Sequence, residues 1–448
     1  MNKSTLALAV AVGVMAQQAG AAGFIEDSKA TLGLRNFYIN NDNRDSGAHS
    51  TQSKAEEWGQ GFDLRFISGY TQGTVGFGID AIGLLGVRLD TGGGTNGATS
   101  ATSYGGTIFP SKSNGEAVDN YSSLGLTAKA KISQTELKLG TLQPKLPVIV
   151  TNDGRLLPQT WQGGQITSGE IKDLTLVGGQ IEAVKGRNSS NNENLSISGA
   201  APRAVNSNKF IYAGGDYKIT KDLTAQYYYG NLEDFYKQHF LGLVHNWAIG
   251  PGVLKSDFRY FNSSDDGANG DTPAYYSTGS YAGFANGRGK VDNNLYSGLF
   301  LYTVAGHTFG GGYQVSNGSS DFPWLNQGDG SSNYTITDMQ IQKFGRAGER
   351  TWQARYSYDF AKVGVPGLTA GMVYLRGDNI DTYNAGRVQT SNGASEWERD
   401  LTVAYVIPEG PLKNVGFMWK NASWRNDIAG QRDQDENRLI VSYSIPLL

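Results

Sequence analysis

In SSLGLTAKAKISQTELKLG, residues 122–140, Leu124, Leu126, Ala128, Ala130 and Ile132 fall on one side of an extended chain, with Gly125, Thr127, Lys129 and Lys131 on the other. After Ser133 and Gln134 the pattern resumes, setting Thr135, Leu137 and Leu139 against Glu136 and Lys138. A period of two marks β-strands with unlike faces. It recurs to both ends of the chain. Ala30, Leu32 and Leu34 oppose Thr31, Gly33 and Arg35, and Phe62, Leu64 and Phe66 oppose Asp63 and Arg65. Farther on, Trp352, Ala354, Tyr356, Tyr358 and Phe360 oppose Gln353, Arg355, Ser357 and Asp359, and Leu439, Val441, Tyr443 and Ile445 oppose Arg438, Ile440, Ser442 and Ser444.

The pattern predicts roughly eighteen strands. They lie near 28–39, 59–69, 74–88, 121–132, 135–142, 172–182, 193–200, 208–217, 222–230, 235–246, 253–262, 292–303, 306–316, 350–360, 367–376, 397–407, 414–424 and 436–446. One hairpin cannot say which face is inside. A soluble sandwich buries the apolar face, whereas a membrane barrel turns it to lipid and lines its lumen with the polar one. The connections decide. Most even-numbered strands are followed by short turns, such as Ser133-Gln134, Pro366-Gly367 and Pro408-Glu409-Gly410, and most odd-numbered ones by long polar loops rich in Gly, Ser and Asn. Segregation by parity is expected when one rim faces the periplasm and the other the outside. A sandwich has no reason for it. Aromatic residues at strand ends and on apolar faces (Phe37-Tyr38, Tyr227-Tyr228-Tyr229, Trp397, Trp419, Trp424) suit interfacial girdles. The expected fold is all-β, a single closed transmembrane antiparallel barrel with short periplasmic turns and long extracellular loops, some folded into the pore.

Composition agrees. Gly numbers 61, about twice its usual ~7% share, and Tyr 24. Mean hydropathy is negative, which barrel strands permit because every second residue is polar. Residues 1–22 read as an export signal, with Lys3, the apolar run Leu6–Ala16 and small residues before a cut at Ala21 or Ala22. The domain reading is therefore 1–22 signal peptide and 23–448 barrel. No later apolar run approaches the ~20 residues of a membrane helix. The chain has no Cys, so no disulfide frames the fold, and its net charge of -3 gives no basis for nucleic-acid binding.

Other chemistry finds little support. The His residues lack ligand spacing apart from His239 and His245, DDGANGD (265–271) has Tyr276 where a calcium loop needs its closing Glu, and GGGTNG lies in a loop rather than before a helix. Neither a cofactor nor a metal is expected. A barrel enzyme of the phospholipase type needs an outward Ser and His pair that is not evident, and a loop-based adhesin or receptor is the other alternative.

Several blocks carry a resemblance: GFIEDSKATLGLRNFYIN, GRLLPQT, NLEDFYKQHFLGLVHNW, GERTWQARYSYDFAKVGVPGLTAGMVYLRGDNIDT, SEWERD and DQDENRLIVSYSIPLL. Over essentially the whole chain after residue 22, the sequence resembles the OprD family of substrate-specific outer-membrane porins of pseudomonads. The resemblance implies an eighteen-stranded barrel in a Gram-negative outer membrane, monomeric or loosely associated. Small carboxylate-bearing solutes would diffuse through it: amino acids, small peptides or benzoate-like and other organic acids, the amino-acid and peptide branch being nearest. Partners are then such solutes and outer-membrane lipids. Outer-membrane barrels commonly end in an aromatic residue, and Leu448 here is read as a tolerated variation.

Strand parity alone places Arg35, Arg65, Lys129, Lys131, Lys138, Arg355, Lys420 and Arg438 on the polar face. Closure joins the last strand to the first and gathers Lys420, Arg438, Arg35 and Arg65 on one wall. Such a track would pass a carboxylate from rung to rung, Arg binding it with two prongs, and Lys129 and Lys131 would be its last rungs before the periplasm. Asp63, Glu136 and Asp359 could instead neutralise it, and Lys255, Asp257 and Arg259 look like a structural cluster. Against the family pattern the ladder is thinned, with Met418-Trp419-Lys420 for Arg-Trp-Arg and an arginine position lost near Val373. That implies looser anion selectivity and a smaller or zwitterionic cargo. The loop 142–164 contains Pro144, Pro147, Pro158, Trp161 and the apolar run LPVIV, so it is expected to fold inward. The resemblance puts its GRLLP element at the constriction, nominating Asp153, Arg155 and Pro158. It also nominates Asp321, in a second constriction segment, as the acceptor for the cationic end of a zwitterion.

Overall fold

The computed structural model describes residues 23–44, 54–91, 106–198, 205–276, 290–325, 333–383 and 388–448. The segment read as an export signal lies outside the described residues. Eighteen antiparallel strands close into one barrel. They are β1 (Lys29–Asn43), β2 (Lys54–Ile67), β3 (Gly76–Thr91), β4 (Asn120–Ile132), β5 (Thr135–Leu142), β6 (Thr160–Ser168), β7 (Leu174–Lys185), β8 (Phe210–Lys218) and β9 (Leu223–Leu232). They continue as β10 (Tyr236–Ile249), β11 (Gly252–Asp265), β12 (Asp292–Val304), β13 (His307–Gly318), β14 (Arg350–Asp359), β15 (Leu368–Tyr383), β16 (Gln389–Val406), β17 (Gly416–Asn426) and β18 (Gln434–Pro446). Closure is made by β18 on β1, in register from Thr31↔Pro446 to Asn43↔Gln434. Every strand thus has two neighbours, as a lipid-embedded sheet requires.

The apolar face is the outer one. Leu124, Leu126, Leu64, Leu137, Leu139, Leu241, Phe258 and Phe300 are exposed there, while Thr127 and Lys129, on the alternate positions of β4, are buried inside. Toward the long loops, Tyr260 and Tyr296 stack with ring centres 4.9 Å apart, and Tyr374 stacks on Trp397 with Trp352 tilted against its other side. Toward the short turns, His245 stacks on Trp247, and Phe309 lies against Tyr356. Phe37, Tyr228 and Trp424 do not belong to either belt. They point inward and are buried.

Two strands differ from the sequence expectation. Residues 160–168 are β6, where a loop was expected, because Trp161 turns into the lumen and Gly163 and Gly164 break the apolar alternation. Residues 193–198 alternate well but form no barrel strand. Inside the lumen, Leu195 bridges Ser207 and Ile197 bridges Leu325. The two differences offset each other, so the count of eighteen stands. With β6 in place, all eight connections after even-numbered strands are short.

Inside the barrel, an apolar plug of loop and wall side chains lies against β6–β12. The loop between β5 and β6 contributes a small hairpin, Lys145–Leu146 against Ile149–Val150. Val148 and Ile149 join Trp161, Ile181, Ile197, Phe210, Phe240, Phe261, Leu295 and Phe322 in this cluster. LPVIV therefore turns inward, as expected. A smaller cluster docks the rest of the same loop on β1–β4, with Leu156 and Leu157 against Phe37, Ile39, Leu84, Phe109 and Tyr121. The wall is thinned to receive it. A Cβ on Gly61 would stand 2.9 Å from the Leu156 carbonyl oxygen, and one on Gly59 only 2.5 Å from Phe109.

Gly61→Val should therefore lift Leu156 off the wall, at an overpacking cost of about 1–3 kcal/mol, and raise single-channel conductance and its noise while the barrel stays folded. Unchanged conductance would show that this docking does not set the passage. A second expectation concerns the turn between β4 and β5. Glu170, in the β6–β7 turn, accepts hydrogen bonds from Gln134 N (2.7 Å), Ser133 Oγ (3.0 Å) and Thr135 Oγ1 (3.1 Å). The Gln134 amide first, and then the Ser133 hydroxyl, hold its carboxyl below the usual range. A lowered folded-state pKa gives a contribution that is complete above ~4.3 and is lost as pH falls through the lowered value. Glu170→Gln should cut the hydrogen-exchange protection of the Gln134 amide at neutral pH and remove the further loss of protection that the wild type shows in acid.

Candidate functional site

Where the docked loop leaves the wall, Asn152–Arg155 form a tight turn. Asn152 Oδ1 accepts from the Gly154 amide (2.9 Å) and from Arg187 Nη1 (3.0 Å), and Arg187 is itself buried. The two leucines that follow are the anchor, so the turn is pushed toward the charged wall of β1, β17 and β18. Arg35 meets it from β1, with Nη1 2.8 Å from Asp153 Oδ1 and 2.7 Å from the Arg155 carbonyl oxygen. From β18, Arg438 donates Nη1 to the Gly154 carbonyl (3.2 Å) and Nε to Glu436 (2.6 Å). Arg155 lies 3.6 Å from Glu436.

The long connection between β13 and β14, residues 319–349, closes on the same point. Gln340 donates Nε2 to Glu436 (2.9 Å), and its carbonyl oxygen accepts from Arg438 Nη2 (3.2 Å). A buried carboxylate holds this segment. Glu398, on the inner face of β16, accepts the amides of Gln340, Ile341 and Gln342 at 3.3, 2.9 and 2.7 Å. Glu57 on β2 does the same for Thr107, Ile108 and Phe109. Charge-assisted acceptance of several amides by one carboxylate is a strong anchor for an otherwise irregular backbone.

The nominated residues separate by surroundings. Arg35, Asp153, Arg155 and Arg438 come together at the turn. Lys420 stands beside Arg438 in the β17–β18 register and is half-buried. Pro158 is buried behind the turn, its carbonyl oxygen 3.4 Å from Lys185 Nζ. Arg355 donates Nε to Gln353 (2.6 Å) and Nη2 to the Ile336 carbonyl, so it grips the 319–349 connection. Val373 lies between Arg355 and Asp400 in register. Asp321 is buried, and its Oδ1 accepts the Ala347 amide (2.8 Å). Lower on the wall, Arg65 pairs with Asp63 (2.7 Å) and Lys138 with Glu136 (3.2 Å), each two residues apart on one face. Lys131 is exposed, its Nζ 5.8 Å from the Tyr70 ring centre. Lys129 differs from its neighbours. Its side chain is 3% exposed, 2.7 Å from Asp80 and 2.7 Å from the Ser68 carbonyl.

Sequence reasoning missed Glu436, Gln340, Glu398 and Arg187. Glu436 was within reach, because it sits two positions before Arg438 on the same face. Glu398 also carries the period-two mark, sharing the inward face of β16 with Glu396 and Asp400, whereas Gln340 and Arg187 act from loops and leave none. Arg259 fits the structural cluster expected of it, pairing with Asp257 (2.7 Å) while its guanidinium lies 4.1 Å from the Tyr334 ring centre. In the 265–271 segment, Asp266 pairs with Lys237 (3.2 Å), and Asp234 caps the Ala268 amide (3.0 Å).

Comparison with known proteins places this architecture. A family model described as outer membrane porin, OprD family, matches residues 22–447. The porin-like protein GalP of Pseudomonas putida is 37% identical over 432 residues, spanning 96% of this chain and 95% of GalP. The crystal structure of OccK8 (OprE) from Pseudomonas aeruginosa matches with 61% identity and a TM-score of 0.84, over 95% of this chain and 100% of that one. That of Pseudomonas aeruginosa OpdK with vanillate matches at 37% identity and a TM-score of 0.81, over the same shares. These relatives are porins, which are channels rather than enzymes. The chain belongs to the OprD family of outer-membrane porins.

Proposed function

We propose that this porin admits small solutes bearing a carboxylate, and that Arg35 is the group that receives it at the constriction. The observation that carries the reading is the Arg35–Asp153 pair. It lies inside the barrel, yet the two side chains keep 30% and 47% of their exposure. An ion pair that open to water contributes only ~0–1 kcal/mol, so a solute can replace either partner at little cost. A carboxylate would take Arg35, and an ammonium or another donor on the same solute would take Asp153. Arg155 and Arg438 stand behind them. Nearer the periplasm, Arg65, Lys138 and Lys131 keep enough exposure to serve as later rungs.

Lys129, Arg355 and Asp321 have other work in this reading. Each is committed to a buried partner, and each holds wall or loop rather than cargo. The presence of vanillate, a carboxylate, in the OpdK structure supports the solute class. One chain closes the barrel, so we take the conducting unit to be a monomer, with residues 1–22 as its export signal.

Liposome swelling with matched pairs, benzoate against benzamide and an amino acid against its amide, tests the reading. The wild type should favour the carboxylate of each pair. Arg35→Gln should reduce that preference by roughly fivefold, equivalent to about 1 kcal/mol, and leave the flux of the amides unchanged. Equal passage of benzoate and benzamide through the wild type would overturn the proposal.

A further inference from the structure

The connection 319–349 meets the wall at its last residue through two acids in contact. The carboxyl of Glu349 lies over Gly377 of β15, where a Cβ would overlap its Oε1. Register sets Thr351, Gly377 and Glu396 in one row across β14, β15 and β16. The missing side chain at 377 thus admits Glu349 to the side of Glu396, and the two carboxyl groups lie within hydrogen-bond reach of each other. Both residues are 1% exposed, as is Arg346.

Donors are shared unequally between the two acids. Arg346 Nε (3.4 Å) and Trp424 Nε1 (2.6 Å) donate to Glu396. Glu349 accepts the Arg346 amide at Oε2 (2.9 Å) and the Thr351 hydroxyl at Oε1 (3.4 Å). One guanidinium balances one carboxylate. Two adjoining buried carboxylates cannot both keep their charge, and a single proton between them removes the conflict. The guanidinium and the indole favour the charge on Glu396, so the proton falls to Glu349. Burial, and after it the Glu396 carboxylate, hold the Glu349 carboxyl well above the usual range. Among the described residues, Arg346 and Glu396 are the charged groups that face it. Asp321 is turned to the Ala347 amide (2.8 Å), and β13 offers the Ser316 amide, which donates to the Glu349 carbonyl (2.8 Å).

We propose that Glu349 is a positioning residue of the constriction, holding the 319–349 connection on the wall through a proton shared with Glu396, and that loss of this proton releases the connection. The next inward position after Glu396 is Glu398, which carries the amides of Gln340, Ile341 and Gln342. Charge added beside that socket is felt at Gln340, on the side of the passage opposite Arg35. This control rests on the constriction proposed above at Gln340 and the Asn152–Arg155 turn, and it holds for any cargo. The raised value sets its direction. The latch is complete below the ordinary carboxylate value of ~4.3 and is lost as pH rises through the higher value in the folded chain.

Single-channel recording of the full-length barrel in KCl, between about pH 5 and about pH 9, tests the proposal. The wild type should be quiet in acid, and its current transitions should become more frequent as pH rises, by up to about tenfold per pH unit, the limit for one proton. Glu349→Gln, which keeps a neutral side chain in place, should stay quiet throughout. Glu396→Gln, which leaves Glu349 to pair with Arg346, should stay quiet as well. Folding of each variant is checked by the heat-dependent gel mobility of a closed barrel. Because K⁺ and Cl⁻ carry the current, equal passage of benzoate and benzamide would not alter these outcomes. A wild type whose transitions do not increase with pH, or an increase that persists in either folded variant, would overturn the proposal.

Discussion

The rest of the structure depends on the ring of backbone hydrogen bonds that β18 completes with β1. In lipid no water is available to an unpaired amide, so the sheet must close. Once it is closed, the facing of every strand residue is fixed by parity, because a slip of one position would turn all the charges of a strand into lipid. The placement of Arg35, Arg65, Lys138 and Arg438 in the lumen is therefore a consequence of closure. So is the repeated pairing of acid and base two residues apart, as in Asp63 with Arg65 and Glu436 with Arg438. On a strand these are the nearest positions that share a face.

A ring of eighteen strands encloses more space than wall side chains can fill. Loops take up the remainder, and they do so on one side. The large apolar cluster occupies the region of β6–β12, and the charged turn Asn152–Arg155 is pressed toward β1 and β18. The irregular backbone of these loops needs partners for its amides, and the wall supplies them through carboxylates. Glu398 receives three successive amides of one loop, and Glu57 three of another. The inward acids of β2 and β16 thus act as loop sockets. That accounts for carboxylates inside a lumen whose exposed groups at the turn include cations.

Much of this was legible in the sequence, because facing on a strand is written at every second residue. The inner and outer sides of β4 and β5, the cationic residues of the wall and the inward burial of LPVIV all follow from the order of residues alone. What failed did so for a shared reason. Alternation reports an extended chain with two unlike sides, and it does not report what those sides touch. Residues 193–198 alternate because one side meets the plug, and β6 hides because its inward positions include a large aromatic and a glycine. Phe37 and Trp424 look like girdle residues by type, yet they pack inside, Trp424 donating Nε1 to Glu396 (2.6 Å). Likewise parity marked Lys129 and Arg355 as lumenal without showing that their hydrogen bonds were already taken.

That last distinction decides what a charged lumen can do. Removing one partner of a buried ion pair costs ~3–5 kcal/mol because the other charge is stranded, and a passing solute that cannot repay this leaves the pair intact. The Lys129–Asp80 pair is of that kind, with a lysine 3% exposed. The Arg35–Asp153 pair is not, since water already reaches both ends and competes for them. On the proposed function, exposure rather than the number of basic residues separates rungs from rivets along the wall. On that reading a thinned ladder can remain selective. A few exchangeable pairs at the Asn152–Arg155 turn would then suffice, with buried neighbours such as Glu436 and Glu398 holding the opposing loop in place.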